Sequence, residues 1–379
     1  MGVDRSMDLG FDPAKTAAKF AFDGVFLKAV PHGQGHINDT YTVYHEGERG
    51  RVKRYILQRI NTGVFKKPDL LMDNMVRVTE HLRKRITACG GDPGREALNL
   101  IPTRDGQAFY KSPEGEYWRG FLFIENARTY ERAVDPGHMR NAGKAVGRFQ
   151  ELLADFPAES LHETIPGFHD TPKRFKAFLR ALEEDTKNRA KDARAEIEFI
   201  ESRADDTRVL TDLIMRKELP LEVTHNDTKL GNIMIDDVTG EGVCLVDLDT
   251  VMPGTALYDF GDAIRSGASS ALEDEQDPDR VWMDLELYKE FTEGFLSAAY
   301  GSLNATELEY LPFSAKLMTL EQGIRFLTDY LNGDTYYKIK YEDHNLVRAR
   351  TQLRLVRDME QKADHMEQVV KGFISNNQL

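Results

Sequence analysis

Val223-Thr224-His225-Asn226-Asp227-Thr228-Lys229-Leu230-Gly231-Asn232 leads into the β-type stretch Ile233-Met234-Ile235, and after a polar turn the apolar run Val243 to Val246 ends in Asp247. The pattern is His-x-Asp-x-x-x-x-Asn, followed by a strand that delivers a carboxylate. A loop rich in Asn and Asp between hydrophobic runs is ordinarily a turn, because those side chains bond their own backbone. Here four polar positions fall at the spacing of a phosphoryl-transfer loop and its metal-binding Asp, with apolar stretches on both sides. That conjunction sets the reading of the rest of the chain.

The chemistry explains each residue type. A hydroxyl that attacks ATP must lose its proton to an acceptor, and Asp227 is the candidate base. Mg2+ takes hard oxygen ligands, which Asn232 and Asp247 supply. Lys229 is placed to offset charge on the transferred group. Downstream, Asp249 is a second metal contact, a substrate contact or a brace for the loop. The literal string Asp259-Phe260-Gly261 is a decoy, since a kinase takes its metal-binding carboxylate directly after the strand that follows the catalytic loop. Asp259 is expected to cap and brace.

With 379 residues the chain is long enough for two domains. A hydrophobic share of 41% and a charged share of 30% describe an ordinary folded protein. The net charge of -13 argues against a nucleic-acid partner, which calls for a concentrated basic face. Only Cys89 and Cys244 are present, so no disulfide framework is expected, and a reducing cytoplasm is the expected compartment. No apolar run is long enough to cross a bilayer, and no membrane partner is expected. Met1-Gly2-Val3-Asp4-Arg5-Ser6 matches a myristoylation pattern short enough to recur by chance.

In chain order, Pro13 to Phe22 reads as a short helix. Gly33 and Gly35 lie in a polar turn before the alternating Thr40-Tyr41-Thr42-Val43, as in a plain hairpin or in one whose glycines let backbone approach a phosphate. Arg54 to Asn61 is a second strand, and where a kinase carries a phosphate-binding lysine it holds Gln58. Either Gln58 makes a neutral contact, or a basic residue reaches in from elsewhere. Asp69 to Thr87 shows helical spacing, with Glu80 on it as a solvated residue or a helix carboxylate. The apolar strand to Ile124 ends at Glu125, where exposed backbone groups suit adenine, and the domain boundary is set there: residues 1–124, then 125–379. Beyond it the chain turns helical: Asp135-Pro136 and Asp170-Thr171-Pro172 open helices, Glu183 to Glu201 is a solvated helical face, and Leu285–Ala299, Leu311–Leu331 and His344–Phe373 follow. Arg265 and the acidic Glu273-Asp274-Glu275 are expected as surface or lid elements. Arg325 and Tyr336 are either packing residues or substrate contacts.

Together these segments resemble the phosphotransferase superfamily of aminoglycoside, choline and homoserine-type kinases, and within it the branch of N-acetylhexosamine 1-kinases. Gly33-Gln34-Gly35-His36-Ile37-Asn38, Tyr55-Ile56-Leu57-Gln58, His169-Asp170-Thr171-Pro172, Thr224-His225-Asn226-Asp227-Thr228-Lys229, Asp247-Leu248-Asp249-Thr250 and Arg325-Phe326-Leu327 carry the likeness. Gln58 is shared with that branch. Gly231, where Asn is expected, departs from it.

The resemblance implies an α+β, bilobal, protein-kinase-like fold, with a small β-rich N-lobe holding one main helix and a larger, mostly helical C-lobe. It also implies ATP and Mg2+ as cofactors, and transfer of the γ-phosphate to the anomeric hydroxyl of an N-acetylhexosamine (GlcNAc or GalNAc). His36, Arg325 and Tyr336 join Asp227 as implied sugar contacts. A kinase of another small alcohol and a non-catalytic nucleotide-binding pseudokinase are the competing readings.

Overall fold

The computed structural model describes residues 11–33 and 37–377 and divides into two compact units, Met1–Glu125 and Asn126–Leu379. In the first, Asp12 caps helix α1 (Pro13–Ala17) by accepting the Lys15 backbone N–H at 3.1 Å. The helix stops before the expected Phe22, because Phe20 bridges to Thr103 and its ring stacks on Phe22 at 5.4 Å. Strands β1 (Val25–Pro31), β2 (Asp39–Glu46) and β3 (Val52–Ile60) precede helix α2 (Pro68–Ala88). β4 (Leu100–Ile101), β5 (Tyr110–Lys111) and β6 (Tyr117–Leu122) complete a six-stranded antiparallel sheet of order β1-β2-β3-β6-β4, with β5 paired to β6.

The pleat sorts this sheet into two faces. Tyr41, Val43, Tyr55, Leu57 and Trp118 pack on one face with Ala17, Phe20 and Phe22 as the unit's core. The opposite face carries Thr40, Gln58 and Arg119 side by side in register across β2, β3 and β6. Leu71, Met75, Val78, Leu82 and Ile86 form the buried stripe of α2 at the expected helical spacing, and Glu80 is exposed.

In the second unit the elements are β7 (Ala127–Arg128), α3 (Pro136–Leu153), α4 (Thr171–Glu184), α5 (Arg194–Glu201), α6 (Val209–Met215), β8 (Glu222–Thr224), β9 (Ile233–Asp236), β10 (Gly242–Leu245), β11 (Met252–Gly254), α7 (Ala256–Gly267), α8 (Leu285–Ala299), α9 (Ala305–Asn332), α10 (His344–Gln361) and α11 (Ala363–Asn377). Asp135 and Asp170 cap α3 and α4 as expected. Two small sheets, β10-β9-β7 and β11-β8, hold the loops between them. Helices α3 and α8 cross where Gly143 meets Phe291 and Gly294 meets Arg140; a Cβ on Gly294 would lie 2.0 Å from the Arg140 carbonyl oxygen. A core of Phe178, Ile197, Ile200, Leu320, Ile324, Leu327, Leu353 and Val356 joins α4, α5, α9 and α10.

Two expected helices are broken. The charge-rich stretch to Glu201 turns left-handed at Asp185 (φ 30°) and passes a 3-10 turn before α5 begins. The C-terminal helix divides at Lys362, whose ammonium donates to the Met283 carbonyl (2.7 Å) and to Asp358 (2.6 Å). Among the described residues, no helix is long and apolar enough to cross a membrane.

Candidate active site

β8 and β11 pair antiparallel, Thr224 opposite Met252, and the chain leaves β8 through a left-handed Asn226 (φ 63°), a conformation Asn tolerates. That turn aims two consecutive N–H groups, of His225 and Asn226, at the Asp259 carboxylate, 2.9 and 2.7 Å away. Gln150 Nε2 donates to the same carboxylate at 2.5 Å. Asp259 lies fully buried in the first turn of α7, and burial holds its carboxyl above the usual range despite these donors. Its own carbonyl accepts from Thr228 Oγ1 at 2.5 Å. The decoy carboxylate therefore braces both sides of the loop.

His225 adds a second tie. Its Nδ1 accepts the Asp227 N–H (3.3 Å), which puts the ring proton on Nε2, donating to the Val246 carbonyl at 2.9 Å. The loop is thereby fixed to the strand end just before Asp247, itself left-handed at φ 61°.

Asp227, Lys229 and Asn232 converge. Asp227 Oδ2 accepts from Lys229 Nζ and from Asn232 Nδ2, each at 2.9 Å, while Nδ2 also donates to the Asp227 carbonyl at 2.7 Å. Among the described residues, Oδ1 takes no protein hydrogen bond and remains for a ligand. Burial raises the Asp227 carboxyl, but the Lys229 ammonium outweighs it and leaves the group at about 2, lower than an ordinary carboxylate. Burial lowers Lys229, and Asp227 and Asp247 more than compensate, so it stays charged.

Among the described residues, no cluster of three or more His, Cys, Asp or Glu forms a metal site. A magnesium ion needs only one or two protein carboxylates alongside phosphate and water oxygens. With its Nδ2 pinned to Asp227, Asn232 has Oδ1 to offer, and with Asp247 it gives an all-oxygen donor set that fits. Asp249 is 2% exposed in the turn Leu248–Thr250, its carbonyl accepting from Thr164 Oγ1 at 3.0 Å.

Behind the loop, His169 places Nδ1 against Glu321 Oε1 (2.7 Å) and Nε2 against the Asn226 carbonyl (3.0 Å); Thr171 Oγ1 donates to Glu321 Oε2 at 2.6 Å. Beside this chain a cavity of about 160 Å³ is lined by Arg174, Arg325, Asp329, Tyr336 and Tyr337, among others. Arg174 donates to the Phe168 carbonyl at 3.0 and 3.3 Å. Arg325 donates to Gln322 Oε1 at 3.2 Å and stacks over Phe168. Among the described residues, neither guanidinium forms an ion pair. Desolvation and the charge of Arg325 lower the Arg174 guanidinium. The lining carboxylate, Asp329, is spent on the N–H groups of Thr335, Tyr336 and Tyr337.

Sequence reasoning missed Arg174, and it left Arg265 as a surface or lid element. Arg265 is buried, bonded to Asp262 at 2.8 Å and Glu273 at 3.1 Å, and it helps to lower Asp227. The signal was available: Asp262 and Arg265 stand three apart on a helix that is mostly apolar apart from them and Asp259.

The remaining candidates lie in the first unit. Gly33 is left-handed (φ 67°) in the turn after β1. Gln58 Oε1 accepts from Arg119, and its Nε2 donates to Thr40 Oγ1 at 2.8 Å. Glu125 pairs with Arg54, and its carbonyl accepts from Arg95. Gly35 and His36 lie outside the described residues.

Residues 28–290 match the phosphotransferase enzyme family (APH). The chain belongs to that family. Among solved structures, an aminoglycoside phosphotransferase from Alicyclobacillus acidocaldarius aligns at TM-score 0.57 and 11% identity, over 94% of this chain and 97% of that one. A choline kinase from Cryptosporidium parvum aligns at 0.54 and 15%, over 91% and 92%. An amicoumacin kinase solved with AMP-PNP and Ca2+ aligns at 0.54 and 14%, over 90% and 91%. These likenesses bear on the fold. The protein is a phosphotransferase with the α+β, protein-kinase-like architecture expected from its sequence.

Proposed function

We propose that the protein is an ATP-dependent kinase that phosphorylates the anomeric hydroxyl of N-acetylhexosamines, GlcNAc or GalNAc, with Asp227 as base and Mg2+ held by Asn232 and Asp247. Lys229 and Asn232 hold Asp227 by one oxygen and leave the other to accept the proton of the attacking hydroxyl. The new bond joins the sugar O1 to the γ-phosphorus as the bond to the β-phosphate oxygen breaks, and ADP departs. A carboxylate as acidic as Asp227 accepts that proton late, which suits an anomeric hydroxyl, a better acid than an ordinary alcohol. Bound Mg2+ would offset charge on the phosphates.

The observation that carries the acceptor assignment is the pair Arg174 and Arg325, two guanidiniums on one small cavity that form no ion pair among the described residues, with the buried Glu321 acting on both only through its charge. A cationic amino alcohol or aminoglycoside would meet repulsion there. A neutral sugar rich in hydroxyl and acyl oxygens supplies acceptors for the N–H groups not already given to Phe168 and Gln322. Tyr336, 57% exposed at the rim, offers a phenol and a ring face to the same ligand.

The test is ATP consumption over free hexoses, N-acetylhexosamines, choline, ethanolamine and aminoglycosides, with phosphorus NMR of the product. Turnover is expected on N-acetylhexosamines with phosphate at the anomeric carbon. Phosphorylation at another position, or turnover confined to amines, overturns the reading.

A further inference from the structure

His169 stands just before the Asp170 cap of α4, buried, with both ring nitrogens engaged. Nε2 lies 3.0 Å from the Asn226 carbonyl, which can only accept, so Nε2 carries a proton and donates it. Nδ1 lies 2.7 Å from Glu321 Oε1, and the other oxygen of Glu321 accepts from Thr171 Oγ1 at 2.6 Å. Burial raises the Glu321 carboxyl, but the charge and hydrogen bond of His169, with Arg325 and Thr171, outweigh it and hold the group below the usual carboxylate range. Glu321 is thus a carboxylate, and Nδ1 donates to it. The bond from Nε2 falls on one particular peptide. The plane between Asn226 and Asp227 is rigid, and a histidine holds each of its polar ends: His169 Nε2 donates to the carbonyl, and His225 Nδ1 accepts the N–H at 3.3 Å. With both ends held the plane cannot turn, and the direction in which the Asp227 side chain leaves the backbone is set.

We infer that His169 is a positioning residue for phosphoryl transfer: it holds the Asn226–Asp227 peptide so that the Asp227 carboxylate meets the attacking hydroxyl, and Glu321 orients the imidazole for that task. This rests on the reading of Asp227 as the base of a kinase. It accounts for a charged glutamate in the interior of α9, 1% exposed, whose partner reaches the catalytic loop from the far side. A core ion pair without a part in the reaction would use the same two residues. The two ring nitrogens separate the cases, because one faces Glu321 and the other faces the loop.

An asparagine amide falls near the place of imidazole Nδ1, and a glutamine amide near that of Nε2. His169→Asn therefore keeps a donor for Glu321 and gives up this donor to Asn226, and His169→Gln does the reverse. His169→Asn is expected to melt above His169→Gln, because the buried carboxylate stays bonded. Its kcat, read on whichever acceptor the parent phosphorylates, is nevertheless expected to lie about tenfold or more below that of His169→Gln, with the MgATP affinity of both equal to the parent's by calorimetry. If His169→Gln does not fold, its combination with Glu321→Gln removes the stranded charge and stands in the same comparison. A His169→Asn protein whose kcat equals or exceeds that of the glutamine variant overturns the inference and leaves the kinase reading standing. A parent protein that phosphorylates no acceptor overturns both.

Discussion

Asp259 and Asp247 are single carboxylates beside the same loop, and the groups around them assign opposite consequences to their loss. Removing the Asp259 side chain strands the buried N–H groups of His225 and Asn226 and the amide of Gln150. Unpaired buried donors each cost about 1–3 kcal/mol, so Asp259→Ala is expected to lower the unfolding free energy by about 3–5 kcal/mol in urea titrations. Asp247→Ala is expected to lose about a hundredfold or more in kcat and require more Mg2+, with a smaller loss of stability than Asp259→Ala. Reversed results would move the metal role to Asp259. Glu222, on β8, gives a pH signature. Burial first, then the charges of Glu307 and Asp259, raise its carboxyl from 4.5 to about 7. Because the folded value lies above the unfolded one, the stability this group contributes is complete below pH 4.5 and declines as the pH rises towards 7. Glu222→Gln is therefore expected to match the parent near pH 4.5 and to exceed it at pH 8 by about 1–3 kcal/mol, read from urea midpoints at the two pH values. Equal gains at both would show that the proton is not responsible.

Helices α3 and α8 approach backbone to backbone, and glycine permits it. With an alanine Cβ at Gly294 only 2.0 Å from the Arg140 carbonyl oxygen, the pair must separate. Overpacking of this kind costs about 1–3 kcal/mol, and each kcal/mol lowers the melting temperature by about 2–4 °C in a protein of this class. Gly372→Ala on α11, where a Cβ meets nothing within 4 Å, is the control and is expected to be neutral or mildly stabilising. The same locality explains what the sequence disclosed. Asp135, Asp170 and the stripe of α2 act within one or two helical turns, so caps and periodicity found those helices. β4, β7, β8 and β11, of two or three residues each, are too short to show a period, and pairing partners far along the chain create them. The breaks at Asp185 and Lys362 arise from a left-handed turn and a tertiary contact, neither of which interrupts an apolar stripe. At the site, Asp227, Lys229 and Asn232 lie within six residues and were legible as a motif. Arg119 stands 61 residues from Gln58, and Glu321 stands 152 from His169, separations that spacing cannot reveal.

At the scale of the molecule, each unit has a core of its own, and the chain's two tryptophans report on one unit each. Trp118, 1% exposed, belongs to the core of the first-unit sheet, while Trp282, 44% exposed, precedes α8 in the second. Most of the helix lies in the second unit, so far-UV circular dichroism follows it in the main. The fraction of surface buried on folding rises with chain length, and the span Met1–Glu125 is the shorter of the two. In a Trp282→Phe variant, where fluorescence reports Trp118 alone, the thermal midpoint is therefore expected to fall several degrees below the dichroism midpoint. In Trp118→Phe, the Trp282 signal is expected to follow the dichroism. Coincident midpoints in both variants would mean that the units unfold as one cooperative body, in which case the Gly294→Ala loss on α8 would appear equally in the Trp118 signal.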